Sequence, residues 1–435
     1  MLRAEAVGYP AAAPMELENR TPFPALEYDI VDARGDESHV VVARGSYELR
    51  AASGEGAGEG DGARITHVAA MTDGELVLSD VYHGEINRSS VKVESDLAQS
   101  KPRCDVIVIG AAHAPAGEAA ARVDVRVRVR RLAAIPGLAE AGTLLDHRLA
   151  VHGARAFERK DDGWALTDPE PFAALPLRYE HAFGGQLKVY AEDEAAQRLD
   201  GAHRLSEAAR RAHPEAEAAP VAHATCAHNP FGVGFLEGWY ADAAEVKRWP
   251  APRIEAPGAG ITAEIFARMV AGEVRAGEAP ELSPRGFGVI AKPWQPRLKL
   301  AGTFDDRWLA ERWPYMPPDF DMAYWNGAHP DMQCDYLLGG ELAELWNLLP
   351  PSAPGAAPEA AGTACRFLVP EAAVVVRLTG KGDAVSFAAV PIDTVVVDLD
   401  QMRLSLVWRA RIPASLEVEG VSLLALGYMK QTGAA

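Results

Sequence analysis

The sequence predicts a mainly β (α+β) fold, in which sandwich- or barrel-like antiparallel sheets flank a large irregular middle region that carries a few short helices. Three observations point there. Residues 37–160 read as short β-branched runs bounded by Gly, Asp or Pro; the same rhythm returns after residue 364; and the stretch between them is dense in Pro, Gly and Trp. With 48% hydrophobic and 24% charged residues the chain is globular in composition, and 435 residues exceed what a single core usually spans. The reading is therefore a β-rich unit over 16–160, an irregular region over 161–350, a linker over 351–363 and a second β-rich unit over 364–430.

Taken in order, ESHVVVARGSYELR (37–50), ARITHVAAMT (63–72), GELVLSDVY (74–82), CDVIVIGAAH (104–113) and HRLAVHGARAF (147–157) have strand character. The strongest alternation is ARVDVRVRVRRL, where Val123, Val125, Val127 and Val129 alternate with Arg122, Asp124, Arg126, Arg128 and Arg130. One face of that strand is buried, and the other is either a solvated cationic face or a docking stripe for an acidic protein. The glycine-rich run 54–63 reads as hairpin loop without phosphate-cradling chemistry.

In the middle region, ITAEIFARMVAGEV sets Ile261, Ile265, Phe266, Met269 and Val270 on one helical face. DDRWLAERW and GGELAELWNLL read as two shorter helices, and 203–223 as a surface helix or insertion. After the linker, RFLVPEAAVVVRLTG, AVSFAAVPIDTVVVDLD and RLSLVWRARIP return to strand pattern.

Several function classes are disfavoured. A formal charge of −18 and a pI near 5.2 oppose coating of nucleic acid or an anionic membrane. Four dispersed cysteines without a C-x-x-C pair fit reduced thiols, and no signal peptide or membrane helix is expected, so the cytoplasm is the expected compartment. The resemblance given below implies a start close to Asn19, which makes Met15 a candidate initiator. His223, Cys226 and His228 form H-x-x-C-x-H, a spacing unlike the familiar zinc patterns, and no phosphate-binding or nucleophile-elbow motif is present. No metal and no cofactor is expected.

The richest segment is AGTFDDRWLAERWPYMPPDFDMAYWNGAHPDMQ, Ala301 to Gln333, with seven aromatics in 33 residues. Its acids suit helix caps and turns, although Asp306, Asp319 or Asp321 with His329 would also be the makings of a hydrolase. Its aromatics suit the fastening of an irregular core or an interface hot spot, and Trp308, Trp313 and Trp325 would serve a carbohydrate-binding module if they formed a flat platform.

Read together, LRYEHAFGG (177–185), HNPFGVGF (228–235), RIEAPG (253–258) and the run from Gly286 to Gln333 resemble a bacterial family catalogued as domain of unknown function 2169. ENRTPFPA (18–25), ARGSYEL (43–49), SDLAQSKPRCDVIVIGAAHAP (95–115) and RLAVHGAR (148–155) resemble its N-terminal half. The resemblance implies a non-enzymatic adaptor or chaperone of a type VI secretion system that binds an effector or PAAR-type tip protein and helps load it onto the VgrG spike. It carries over no catalytic residue, only motif positions with structural or partner-binding roles. These are Arg178, Tyr179, Glu180, Gly184 and Gly185; Asn229, Pro230, Gly232 and Gly234; Trp294, Pro296 and Arg297; and, in the richest segment, Asp306, Trp308, Arg312, Pro314, Pro318, Asp319, Phe320, Asp321, Tyr324, Asn326, Asp331 and Gln333. Arg178 and Glu180 are expected to share a face and form an ion pair.

Overall fold

A computed structural model describes residues 16–52, 59–60, 63–189, 221–359, 362–380, 384–416 and 418–426. Positions 1–15, including Met15, and most of the 203–223 segment lie outside them. The architecture is mainly β with few short helices.

In chain order the principal strands are β1 (Leu17–Arg20), β2 (Ala25–Val31), β3 (Glu37–Ala51), β4 (His67–Thr72), β5 (Cys104–Ile109), β6 (Arg122–Arg131), β7 (Gly142–His152) and β8 (Ile254–Glu255). They continue as β9 (Gln333–Cys334), β10 (Leu342–Trp346), β11 (Ala357–Glu359), β12 (Gly362–Leu368) and β13 (Ala373–Gly380). The last are β14 (Val385–Val390), β15 (Ile392–Asp398), β16 (Arg403–Pro413) and β17 (Val418–Leu426). Among the described residues the helices are α1 (Gly238–Ala243), α2 (Ala263–Val270) and α3 (Asp306–Glu311), with several 3-10 turns.

Three sheets enclose the main core. The first runs β2-β3-β16-β15-β5-β9, with β4 also on β3. The second runs β8-β7-β6-β10-β12-β11 and the third β1-β17-β13-β14. The first sheet thus interleaves strands from both ends of the chain: β3 pairs β16 over eleven positions, and β15 lies parallel to β5. Within 351–363, read as a linker, β11 forms and pairs β12.

The alternation in β6 resolves as expected, with its four valines buried and Arg122, Arg126, Arg128 and Arg130 on the opposite face. A second, smaller core forms where Phe157 stacks on Phe266 of α2 at 3.7 Å. Thr262 caps α2 by accepting from the Ile265 amide at 3.2 Å, and Ile261, Phe266 and Met269 are buried.

Two local readings are corrected. GGELAELWNLL is not a helix: Leu342–Trp346 is the strand β10, buried at every position between β6 and β12. A continuous apolar run fits a helix and a doubly covered strand equally well, and only its neighbours decide. GELVLSDVY is mostly irregular, with Val81–Tyr82 its only strand.

Candidate functional site

The segment from Leu298 to Gln333 leaves the sheets as a lobe whose base is rigid and whose tip is exposed. At the base, Arg297 is buried and donates to Glu94 through Nη1 (2.5 Å) and Nη2 (3.0 Å), and to the carbonyls of Ile290 (2.8 Å) and Tyr324 (2.6 Å). Its guanidinium also lies over the Tyr324 ring at 5.3 Å. Asn326, likewise buried, donates to Arg103 O and Asp105 Oδ1, and Gly327 N donates to Asp105 Oδ2 at 2.9 Å. These bonds tie the lobe to β5. Trp294 is buried, edge-on to Tyr179 and Phe231, and the peptides before Pro296 and Pro314 are cis.

The acids of the lobe are caps and clamps. Asp305 Oδ1 accepts from the Trp308 amide at 2.8 Å and starts α3, with Asp306 in its first turn. Asp319 accepts from Thr303 N (3.0 Å) and Oγ1 (2.8 Å), bonds that hold its carboxyl below the usual range and close the neck of the loop. Asp321 accepts from Ala323 N at 2.8 Å, capping the turn Met322–Trp325. Among the described residues these carboxylates have no histidine partner; His329 meets Asp331 and His147 instead.

The aromatics divide into two sets. Phe320, Tyr324 and Trp325 pack on one another, half-buried, and Trp308 is held by its Nε1–H donating to Tyr315 O at 2.8 Å. Arg312 lies over Tyr315 and reaches back to the carbonyl of Ala33. The second set points outward: Phe304, Leu309 and Trp313 are 58%, 60% and 65% exposed, with Phe304 edge-on to Trp308 at 4.8 Å. Of the three tryptophans weighed for a sugar platform only Trp313 is exposed, so a flat surface of all three is not presented. A recess of about 530 Å³ adjoins them, lined among others by Asp305, Arg307, Trp308, Arg312, Pro318 and Asp319.

The other motif positions are structural supports. Asn229 is buried; its Nδ2 donates to Tyr179 O (2.7 Å) and Phe183 O (3.0 Å), and its Oδ1 accepts from Phe231 N, with Pro230 between them. Gly184, at φ 148°, has the Asn229 carbonyl where a Cβ would sit, and Gly234, at φ 101°, abuts Pro252; Gly185 and Gly232 complete the same close crossing. Tyr179–His181 is a 3-10 turn, not a strand, so the shared-face reading of Arg178 and Glu180 fails. Glu180 accepts instead from Ser90 N (2.7 Å) and Oγ (2.8 Å), and no Arg178–Glu180 pair forms among the described residues. Gln333, in β9, donates to Ala328 O at 2.9 Å.

Two polar clusters were not foreseen as units. His147, on β7, stacks on His329 at 5.6 Å, and Asp331 approaches both while pairing with Arg285 Nη1 at 3.0 Å. Burial pulls His147 down and His329 down to about 4, so both imidazoles are neutral at neutral pH. Their ring nitrogens and Asp331 lie within metal-ligating reach, but Arg285 already compensates the carboxylate, and the Asp331 amide donates to His329 Nδ1 at 3.1 Å. For H-x-x-C-x-H, Cys226 is buried and His228 half-buried; the His223 side chain lies outside the described residues.

The second cluster neutralises the arginine strand. Arg128 and Arg130, from β6, and Arg366, from β12, all donate to Glu344 of β10, whose side chain is 1% exposed. Burial alone would raise the Glu344 carboxyl, but the bond and charge of Arg128 and then of Arg130 hold it below its ordinary value. Arg126 pairs with Asp146, and Arg126, Arg128 and Arg366 surround the Trp346 ring at 4.9, 5.1 and 5.5 Å.

No curated protein and no solved structure matches the chain. The family model described as "Uncharacterized protein conserved in bacteria (DUF2169)" matches residues 34–409, most of the chain, and the chain belongs to that family.

Proposed function

We propose that this chain is a non-enzymatic adaptor or chaperone of a type VI secretion system, binding an effector or PAAR-type tip protein and assisting its loading onto the VgrG spike. Membership of the family supports the assignment at the level of the family alone. The observation that carries a binding role is the exposed triad Phe304, Leu309 and Trp313 on a lobe whose base is fixed by the buried Arg297–Glu94 pair. Large stiff apolar side chains on a preorganised support lose little entropy on binding, and tryptophan is among the residues enriched at interface hot spots. Asp305, Asp319 and Asp321 accept hydrogen bonds as caps and clamps, which supports a structural role for them.

Co-purification of the tagged chain with the neighbouring VgrG, tip protein or effector tests the proposal. Capture of at least one partner, weakened by Trp313→Ala, is expected. Failure to capture any of the three, together with unimpaired effector delivery in a deletion strain, overturns it.

A further inference from the structure

The chain has four cysteines, and two of them meet. Cys104, the first residue of β5, and Cys334, the last of β9, are direct partners in an antiparallel ladder. Both are free and fully buried. Residues opposed in such a ladder have Cα atoms about 4.5–5.5 Å apart, within the roughly 4.4–6.8 Å that a disulfide spans. The other two have different surroundings: Cys226 lies in the smaller core and Cys365 sits 3.4 Å from His67 Nδ1.

We propose that Cys104 and Cys334 are an oxidative modification site, closed to a cross-strand disulfide by a peroxide. One thiolate attacks hydrogen peroxide, the O–O bond breaks, and a sulfenic acid and hydroxide result, the hydroxide taking the proton that the thiol released to give one water. The facing thiolate then attacks that sulfur, the S–S bond forms as the S–O bond breaks, and the departing hydroxide takes the second thiol's proton to give a second water. Two thiols and one peroxide thus give one disulfide and two waters.

The folded protein restrains this reaction. Burial, and then the neighbouring Cys334, push the Cys104 thiol well above its ordinary value, so little thiolate is present while β9 is paired. Oxidation therefore proceeds through opening of the two-residue strand β9. Once formed, the bond makes covalent the seam that Asn326 and Gly327 already make with Asp105, and it pins the base of the aromatic lobe to β5. The proposal is independent of the adaptor reading, since it concerns the chain alone.

The test treats the full reduced chain with hydrogen peroxide in mild denaturant, alkylates remaining thiols under denaturing conditions and maps the peptides by mass spectrometry. A Cys104–Cys334 linked peptide, with Cys226 and Cys365 alkylated, is expected, together with a rise in melting temperature that dithiothreitol reverses. In Cys334→Ala the linked peptide and the reversible rise are both lost. A map of the unmodified chain in which all four cysteines stay alkylated, in which both thiols stop as sulfinic acids, or in which the linkage joins another pair overturns the proposal, whatever the variant's folding.

Discussion

The arginine strand β6 and the aromatic lobe both have the composition of a docking surface, yet the fold treats them in opposite ways. Along β6 the guanidinium groups find acids and a tryptophan on neighbouring strands: Glu344 is shared by three arginines, and Trp346 is ringed by three. In the lobe, Arg297, Asn326, Asp305, Asp319 and Asp321 are likewise engaged, but Phe304, Leu309 and Trp313 are left exposed. A surface available for recognition is what remains after the interior has been satisfied, and density of a residue type does not reveal that remainder.

The contrast can be broken from either side. The largest effect is expected at the arginine strand: Glu344→Ala removes the buried acid that Arg128, Arg130 and Arg366 share, and chemical denaturation should show a loss of about 3–5 kcal/mol. Arg297→Met, at the base of the lobe, removes the partner of Glu94 and should fall in the same range.

Next comes a pH effect. His329 has a folded pKa of about 4 against 6.5, so the unfolded chain takes up the proton first as pH falls. Stability contributed by neutral His329 is complete above pH 6.5 and declines between about 6.5 and 4, by up to about 3 kcal/mol. The slope of unfolding free energy over that window should flatten in His329→Gln. Glu344 behaves differently, because its folded pKa is depressed below 4.5: its stabilisation holds above that value and is lost as pH falls through the lower folded pKa. The two pH windows therefore separate the His147–His329 cluster from the arginine strand.

Smaller still is the effect at the tip. Trp313→Ala should change stability by no more than about 0.5 kcal/mol, as for exposed sites generally, while costing about 2 kcal/mol, roughly thirtyfold, in affinity for a captured partner if it is a hot spot. Calorimetry on the purified pair reads the second figure and thermal unfolding the first. Asp305→Ala should cost about 1 kcal/mol through loss of the α3 cap, read as faster amide exchange at Trp308.

What was legible in the sequence was local. The valine alternation of β6, the apolar face of α2 and the capping acid Asp305 depend on spacing within a few residues, and each lies where spacing puts it. Glu344 was misplaced on a helix because its partners Arg128 and Arg130 are more than 200 positions away and only the sheet brings them together. Glu94, which holds Arg297, stood in no motif, and Arg178 and Glu180 were separated by a 3-10 turn that period-two reasoning could not anticipate. The exposed tip was visible only as aromatic density, since which of seven rings face outward is decided by the bonds at Trp308 and Tyr324.

The interleaving of the first sheet also governs how the molecule is made. Strand β3 is flanked by β16, and β5 by β15, so 355 to 375 residues separate the paired positions of the first two strands and 289 those of the second two. A ribosome that has released only the first third of this chain has released a half-built sheet with hydrophobic edges exposed. The nascent protein must keep those edges from other chains until almost its whole length has emerged, which makes a molecule proposed to escort others one that itself depends on late closure.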